Sequence, residues 1–405
     1  MTAITKNIRW IILALIAGAA LGLSFPETAL LFTPLAKFVL QLIKAAATPL
    51  VFFAVLEAIL RYRVAGSDFF KLLVITLINA SIAISIGLFI ANVTEPGQYL
   101  RFLATDVAAA TQNIDLFDML AKQLPESVVQ PLADNSIMPL VVMAVAFGFA
   151  WRRVRARQNP DTLQLMERGE MWISIARDIC ETLLIWIVRL IPFAVFAASA
   201  KVTAEHGLHP FKGLGQYVAL CLLGMAIHML FTYSSWLVLF VRVSLRKFWQ
   251  YALEPVFYAF SVNSSLVALP LTLRALDNLG VSRRASTLAA CVGTNLNNDG
   301  IILYEGFTLL ALVQASGIEM SLASQAFAAV YCIVAAMGVA GVPEAGVVAL
   351  TLVLGGLGIP TEALALLLSV DWIIARARSF MNTHSDLVGS MILNRWIDLG
   401  QGKPA

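Results

Sequence analysis

Long apolar runs separated by short polar links occupy most of the chain. The candidate segments lie at residues 8–24, 36–60, 69–93, 136–151, 170–200, 215–242, 250–281, 285–315, 322–358 and 360–394. A helix needs about 20 apolar residues to cross a hydrocarbon layer of ~30 Å, whereas a transmembrane barrel alternates over segments of about 10 residues. The pattern predicts an all-α polytopic membrane protein.

Composition agrees with a bilayer location, because 59% of the 405 residues are hydrophobic and only 13% are charged. A soluble domain carries about 25% charged residues. The basic residues behind the net charge of +3 lie in the polar links, so we expect no nucleic-acid partner. The four cysteines form no CxxC pair and the four histidines show no metal-ligand spacing; we therefore expect no cofactor beyond a coupling ion.

The positions of arginine and lysine predict the topology. Basic residues cluster beside the first, second, fourth, sixth and seventh segments and are absent from the links at 24–34 and 315–324. The positive-inside rule places the basic links in the cytoplasm. It predicts a multi-pass protein of the plasma membrane with both termini in the cytoplasm. Because no clear small-x-small cleavage site follows residues 8–23, we expect them to form a first transmembrane helix and not a cleaved signal peptide.

Two segments conflict with a simple crossing. Residues 250–281 have basic clusters at both ends and contain the polar stretch SVNSSLVALP (261–270). If 285–315 then crosses outward and 360–394 returns inward, residues 322–358 also have to enter and leave the membrane on one side. This segment contains MGVAGVPEAG (337–346). Two re-entrant hairpins of opposite orientation, each followed by a full span, form an inverted repeat. The alternative is a pair of spans kinked at proline.

Polar residues interrupt the apolar sequence at GTNLNNDGII (293–302) and along the last span. Helical spacing places one set of last-span residues on a common face: Asp371, Ala375, Arg378, Asn382, Asp386 and Gly389. Ionisable residues inside a membrane usually mark a substrate or ion path. An arginine fork suits a carboxylate, and amide, carboxylate and free carbonyl oxygens suit a hard cation such as sodium. The alternative is an internal pair of Arg378 with Asp386 or Asp371.

These motifs resemble those of the dicarboxylate/amino acid:cation symporters, a family that includes glutamate transporters. The matching stretches are NSSLVALP, NNDGI (297–301), AGVPEAG (340–346) and DWIIARARSFMNTHSDLVG, and the likeness covers nearly the whole chain. The resemblance implies eight transmembrane helices plus two re-entrant hairpins, an elevator-type movement and a homotrimer.

The resemblance also implies two domains. Residues 1–68 (helices 1 and 2) and 98–204 (helices 4 and 5) would form a scaffold. Residues 69–97 (helix 3), 205–248 (helix 6) and 249–398 (hairpin 1, helix 7, hairpin 2 and helix 8) would form the transport domain, with the second hairpin as its gate.

Site residues carry over one by one. Arg378 matches the arginine that grips a substrate carboxylate, and Arg376 a second arginine of eukaryotic members. The other positions that match the substrate site are Ser379, Asn382, Ser264, Ser265, Ala375, Val339, Ala340 and Gly341. The positions that match cation ligands are Asp299, Asp386, Asn297, Asn382, Gly293, Asn295 and Asn79.

Departures from the family pattern refine the expected cargo. Ala375 stands where amino-acid carriers have an aspartate that binds the ammonium group, so we expect a C4-dicarboxylate ahead of an acidic amino acid. Asn298, Ile301, Thr76 and Asn79 replace other family residues near the cation sites. Because Asp299 and Asp386 remain, we expect sodium as the coupling ion, with a proton as the alternative.

Two other functions compete with symport. An anion-conducting, channel-like member of the same fold would share all of these motifs. An intramembrane hydrolase using Ser264 or Ser265 would need a base, and His384 is the one candidate in a polar stretch, with no oxyanion motif beside it. We therefore expect a transporter and not an enzyme.

Overall fold

The computed structural model describes residues 3–61, 67–103, 127–134, 137–157, 160–338, 345–356 and 364–400. These residues are predominantly helical and contain no strand, which agrees with the predicted all-α class. The α-helices are α1 Ala3–Ser24, α2 Pro26–Leu30, α3 Thr33–Arg61, α4 Ser67–Thr94, α5 Gln130–Ala133, α6 Ile137–Arg155, α7 Pro160–Val188, α8 Ile191–His206, α9 His209–Ile227, α10 Leu245–Val262, α11 Ser265–Asn278, α12 Arg283–Ser286, α13 Asp299–Ala315, α14 Leu322–Gly338, α15 Ala345–Gly356 and α16 Leu364–Gly400.

Helical turns of other pitch extend or link these helices. The 3₁₀ turns are Pro96–Leu103 and Gly293–Asn295, and the π-helical stretches are His228–Tyr233, Trp236–Val241 and Thr287–Val292. π-Helical turns inside helices often occur at functional sites. Two of these three stretches supply or precede residues of the candidate site described below.

Several helices have the length and composition of membrane spans. Within the described part of the chain, the stretches that qualify singly are Pro26–Glu57, Ser67–Thr94 and Pro210–Val241. A fourth span results if the bent pair Thr162–Val188 and Ile191–His206 counts as one. The total of eight spans with two re-entrant hairpins stays a prediction.

Large apolar side chains lie on the outside of the protein. Leu239 is 76% exposed and Leu322 is 80% exposed. Many other large apolar side chains are exposed as well, which is expected where a protein surface faces an apolar phase instead of water. A hydrocarbon layer is such a phase.

One compact unit comprises Met1–Arg63, Gly97–Leu214 and Ala311–Val370. In it α1 packs along α8, and α3 packs against α6, α7 and α8. A Cβ at Gly18 would lie 2.2 Å from Ser199 Oγ, and one at Gly22 would lie 2.0 Å from Thr203 Oγ1. The two glycines therefore permit a backbone approach that any larger residue would prevent.

A partly buried ion pair joins α3 to α7 in the same unit. Arg177 Nε lies 2.7 Å from Glu57 Oε2, and Ser174 Oγ donates to Glu57 Oε1 at 2.8 Å. Glu57 is only 7% exposed, so its charge requires these partners.

Helices α14 and α15 contact each other in this unit, as the arms of the predicted second hairpin do. The intervening residues 339–344 lie outside the described residues. The predicted tip residues Val339, Ala340 and Gly341 therefore have no structural outcome.

The second compact unit comprises Val64–Pro96, Gly215–Leu310 and Asp371–Ala405. Helices α10 and α11 pack together as a helical hairpin. Asn263 ends α10 in the left-handed conformation, with φ of 55°, and Ser264 caps α11 by accepting a hydrogen bond from the Val267 N–H. The turn is shorter than the predicted polar stretch, because Pro270 lies inside α11.

Helix α4 packs against two of the π-helical stretches, His228–Tyr233 and Thr287–Val292. Asp68, at the start of α4, forms an ion pair with Arg284 of α12. These contacts place α4 beside the polar interruption at 293–302. The predicted scaffold and transport domains are defined by the movement of one against the other, so they stay predictions.

Candidate functional site

The polar interruption is a short break between two helical stretches. The N–H groups of Leu296 and Asn297 both donate to the Gly293 carbonyl at 2.7 Å, and regular helix resumes at Asp299. The predicted unwound range 293–302 is therefore too long, since its last four residues form the first turn of α13. Residues 293–298, which we call the break, are the part without regular α-helix.

Helix α16 lies directly against the break. Asn382 Oδ1 accepts a hydrogen bond from the Gly300 N–H at 2.9 Å, and Asn382 Nδ2 donates to Asn298 Oδ1 at 3.3 Å. A Cβ at Gly300 would lie 2.9 Å from the Arg378 carbonyl oxygen. Glycine at position 300 is thus what allows this approach.

Asp386, one turn further along α16, is held by the break. Thr294 Oγ1 donates to Asp386 Oδ2 at 2.8 Å, and Asn297 Nδ2 lies 3.4 Å from Oδ1. Asn297 in turn accepts a hydrogen bond from Thr76 Oγ1 of α4 at 2.7 Å. The carboxyl group is 2% exposed and is surrounded by short polar side chains.

Asp299 forms a second acidic position, and it is fully buried. Tyr233 OH and Ser385 Oγ donate to its Oδ2 at 2.7 and 2.8 Å, and His228 Nε2 lies 3.7 Å from the same atom. Its Oδ1 has no hydrogen-bond donor among the described residues. The π-helical stretch that contains both His228 and Tyr233 brings them to this carboxyl group.

The guanidinium of Arg378 is bound by another residue of the same helix. Nη1 donates to Asp371 Oδ1 and Nη2 to Asp371 Oδ2, both at 2.9 Å. The guanidinium carbon lies 4.3 Å from the centre of the Tyr304 ring, and the arginine is 4% exposed. Of the two internal partners that the sequence left open, the structure pairs Arg378 with Asp371, and this pair joins no second helix.

Ser379 connects α16 to the tip of the first hairpin, because its Oγ donates to Asn263 Oδ1 at 3.2 Å. Ser264 and Ser265 lie at the start of α11. The first N–H groups of a helix lack partners within the helix, and they attract anions. The tip therefore offers donors beside α16.

The remaining predicted residues have varied surroundings. Ala375 is 4% exposed and lies one turn before Arg378. Arg376 donates to the Trp372 carbonyl at 2.8 Å, and Asn79 accepts a hydrogen bond from Trp236 Nε1 at 2.9 Å. Asn295 belongs to the 3₁₀ turn of the break.

A hard cation fits the acidic positions. Among the described residues no group of three or more His, Cys, Asp or Glu side chains could hold a metal ion. Each acid would therefore share a cation with neutral amide, hydroxyl or carbonyl oxygens, which suit hard cations. Burying a carboxylate oxygen without a partner is unfavourable, and a cation at Asp299 Oδ1 would remove that penalty.

A model of the sodium:dicarboxylate symporter family matches residues 8–396. The chain belongs to this family. Similar proteins include C4-dicarboxylate transport protein 3 of Ralstonia nicotianae, 27% identical over 96% of this chain and 88% of that protein. C4-dicarboxylate transport proteins of Anaeromyxobacter sp. and of Pseudomonas syringae pv. syringae are 26% and 25% identical, over 95% and 96% of the chain and 88% and 87% of those proteins.

Membership in the sodium:dicarboxylate symporter family confirms the resemblance drawn from the motifs. It makes the chain a membrane transporter and not an enzyme, so the hydrolase alternative is excluded. His384 is packed among aromatic rings, with Phe248, Trp249 and Tyr233 centroids 4.6 to 5.3 Å away.

The sequence did not single out several polar residues in the helices that lie near or follow the break. Tyr233 and His228 lie in an apolar segment, with no nearby motif to single them out. Glu305 of α13 is fully buried, and neither carboxylate oxygen has a hydrogen-bond donor within the described part of the chain. An acidic residue one position after Tyr304, deep in an apolar helix, was a signal that could have identified it.

Proposed function

We propose that this protein is a secondary active symporter that couples uptake of a C4-dicarboxylate to a cation gradient, with sodium as the favoured ion and an acidic amino acid as the next candidate cargo. The observation that carries the proposal is the order of residues on α16. Arg378, Asn382 and Asp386 follow one another at one-turn intervals, and the last two contact the break. The names of the similar bacterial proteins support a C4-dicarboxylate as cargo.

The substrate site would hold two carboxylates and no ammonium group. Arg378 would bind one carboxylate, because its planar fork matches two oxygens. The start of α11 at Ser264 and Ser265 would bind the other through backbone N–H groups. Ala375 presents a methyl group where an ammonium ion would need an acid, so a dicarboxylate fits better than an amino acid.

The spacing on α16 provides a way to couple the two cargoes. Eight residues separate Arg378 from Asp386, or about 12 Å of helix. Opposite unit charges at that distance attract by roughly 1–2 kcal/mol when the effective dielectric constant is about 20, which is about tenfold in affinity. Asn382 lies between Arg378 and Asp386 and binds the Gly300 N–H. Binding of the cation and binding of the substrate would therefore both stabilise the contact between Asn382 and Gly300.

The larger-scale parts of the proposal follow from the family. The protein would form a homotrimer in the bacterial inner membrane with both termini in the cytoplasm. Residues 69–97, 205–248 and 249–398 would move as an elevator against 1–68 and 98–204. Val339, Ala340 and Gly341 would gate the site.

A proton-coupled dicarboxylate symporter is the second candidate, and Glu305 is the observation that favours it. A fully buried carboxyl group without a hydrogen-bond donor among the described residues is most easily accommodated as the neutral acid. Such a group could carry a proton together with the substrate.

Uptake by proteoliposomes would test the proposed function. Symport predicts that labelled succinate accumulates only when an inward sodium gradient is imposed, and proton coupling predicts accumulation with an inward proton gradient instead. An anion conductance predicts downhill flux and current without accumulation. Absence of succinate accumulation under both gradients would contradict symport.

A further inference from the structure

Within the described part of the chain, Asp299 accepts hydrogen bonds through only one of its carboxylate oxygens. Tyr233 OH and Ser385 Oγ donate to Oδ2 at 2.7 and 2.8 Å, whereas Oδ1 has no donor there. The donors lie on different elements, since Tyr233 ends the π-helical stretch that begins at His228 and Ser385 belongs to α16. Two elements therefore hold one oxygen of the carboxylate and leave the other oxygen available to a ligand.

The Tyr233 ring is fixed by its neighbours, so its hydroxyl group has a defined position. The residue is fully buried. The His228 and His384 rings pack edge-on against it, with centroids 4.7 and 4.6 Å away. A phenylalanine would fill the same space between the two imidazoles and would lack only the hydroxyl group. A single substitution can therefore separate the packing of this ring from its hydrogen bond.

A carboxylate that binds a cation through one oxygen has to present that oxygen in a fixed direction. The terminal torsion of an aspartate side chain is broad, so a carboxylate without partners turns easily. Hydrogen bonds to the second oxygen restrict this torsion. Removal of such a partner typically weakens metal binding by about 10- to 100-fold. Tyr233 and Ser385 have the geometry that this effect requires at Asp299.

We propose that Tyr233 and Ser385 are positioning residues of the cation site: by holding Asp299 Oδ2 they direct Oδ1 toward the coupling ion and raise the affinity for sodium, and neither residue contacts the ion. The inference rests on the proposed function, because it assumes that Asp299 binds a coupling sodium ion. It gives a role to two residues that no sequence motif singled out. Because Ser385 lies on the same helix as Arg378, the cation site and the proposed anion site also share one rigid element.

Sodium binding to purified Tyr233→Phe tests the role of the hydroxyl group. The melting temperature is recorded as sodium replaces choline at constant ionic strength and without succinate, and its dependence on sodium concentration gives the dissociation constant. We expect this constant to rise about tenfold or more over wild type, because Asp299 keeps only one of its two donors. A constant within threefold of wild type, or a lower one, would overturn the proposal.

Tyr217→Phe is the matched control, because it removes a hydroxyl group from an equally buried tyrosine of the same compact unit. Tyr217 OH shares a hydrogen bond with Thr308 Oγ1 at 2.7 Å. This variant should lower the melting temperature in choline and keep the wild-type dissociation constant for sodium. An equal loss of sodium affinity in Tyr217→Phe and Tyr233→Phe would indicate general damage to the fold and would overturn the positioning role.

Ser385→Ala keeps the test decisive if Tyr233→Phe does not fold. It removes the other donor and should also raise the sodium dissociation constant about tenfold. Ser369→Ala, at a buried serine of the same helix whose hydroxyl donates to the Leu366 carbonyl, should not. The double variant Tyr233→Phe/Ser385→Ala should lose less affinity than the product of the two single losses, because both donors restrain one torsion; losses that multiply would contradict this shared restraint.

Failure of this inference can be distinguished from failure of the proposed function. If sodium neither stabilises the wild-type protein nor drives succinate accumulation, sodium coupling is wrong and the positioning role falls with it. If wild type binds sodium and accumulates succinate while Tyr233→Phe and Ser385→Ala bind sodium equally well, only the positioning role is wrong.

Discussion

Arg378 combines a bidentate contact to Asp371 with the face of the Tyr304 ring. A planar guanidinium can make both contacts at once, whereas a lysine ammonium is a point charge without a fork. The side chain is also nearly inaccessible to water, which strengthens its electrostatic interactions. A side chain that supplies only a positive charge therefore cannot replace Arg378.

Arg378→Lys should abolish most dicarboxylate binding while it preserves the positive charge. Loss of two charge-assisted hydrogen bonds is worth about 2–4 kcal/mol, or about 30- to 1,000-fold in the succinate dissociation constant. Calorimetry on purified protein measures this change. Arg274→Lys, at an exposed pair with Glu254, should change affinity less than twofold; a dissociation constant for Arg378→Lys within threefold of wild type would contradict the proposed site.

Ala375→Asp should move the preference from dicarboxylates toward acidic amino acids. The new carboxylate would lie one turn before Arg378 and would attract the ammonium group of aspartate while it repels a second carboxylate. Competition of aspartate against labelled succinate measures the change. Ala377→Asp, which adds the same acid on another side of α16, should produce no aspartate preference, and continued preference for succinate by Ala375→Asp would refute the reasoning.

At the scale of elements, the break and α16 form a single packed contact. Asn382 of α16 donates a hydrogen bond to Asn298 of the break and accepts one from Gly300 in the first turn of α13. Irregular backbone at membrane depth is stable only when protein or water covers its polar groups. Helix α16 supplies part of that cover to the break.

Gly300→Ala should reduce succinate uptake at least tenfold. The added Cβ would lie 2.9 Å from the Arg378 carbonyl oxygen, and overpacking of this kind costs typically 1–3 kcal/mol. Because the strain falls between the residues that are proposed to bind the anion and the cation, sodium and succinate affinities should both decrease. Gly215→Ala, where a Cβ meets nothing within 4 Å, should retain uptake; wild-type affinities in Gly300→Ala would show that the contact can relax.

The sequence predicted those elements whose polar residues interrupt an apolar run. The break around Asn297 was found in this way, because polar groups in an apolar segment are unfavourable unless they bind a partner. The first hairpin was predicted mainly from the basic clusters at both ends of 250–281. The sequence did not predict Tyr233 on Asp299, since helical periodicity places a residue on a face but a π-helical turn changes that face. It also could not decide between Asp371 and Asp386 as partners of Arg378, because both lie near it on a helix and only packing distinguishes them.

At the scale of the whole molecule, the proposed choice of coupling ion depends on the buried acids. Asp299 and Asp386 have hydroxyl or amide donors, whereas Glu305 has no donor among the described residues. The first two resemble cation ligands and the third resembles a proton carrier. One molecule could thus contain the means for both couplings.

Glu305→Gln should remove the pH dependence of succinate uptake and retain its sodium dependence. Glutamine imitates the neutral acid, so transport that requires a proton on Glu305 would no longer slow as pH rises. Initial uptake rates in proteoliposomes at acidic, neutral and alkaline pH measure this effect. Glu319→Gln, the same change at an exposed position, should keep the wild-type profile; an unaltered profile for Glu305→Gln would exclude it as a proton carrier.

The Asp371–Arg378 pair lies within a single helix, so its two opposite charges have to travel together whenever that helix moves. A lone arginine crossing the membrane field would gain or lose about 2.3 kcal/mol per 100 mV, but a neutral pair carries no net charge. The empty carrier should therefore be indifferent to membrane voltage at this position. Any voltage dependence of the transport cycle would then come from the remaining buried acids and from the cargo itself.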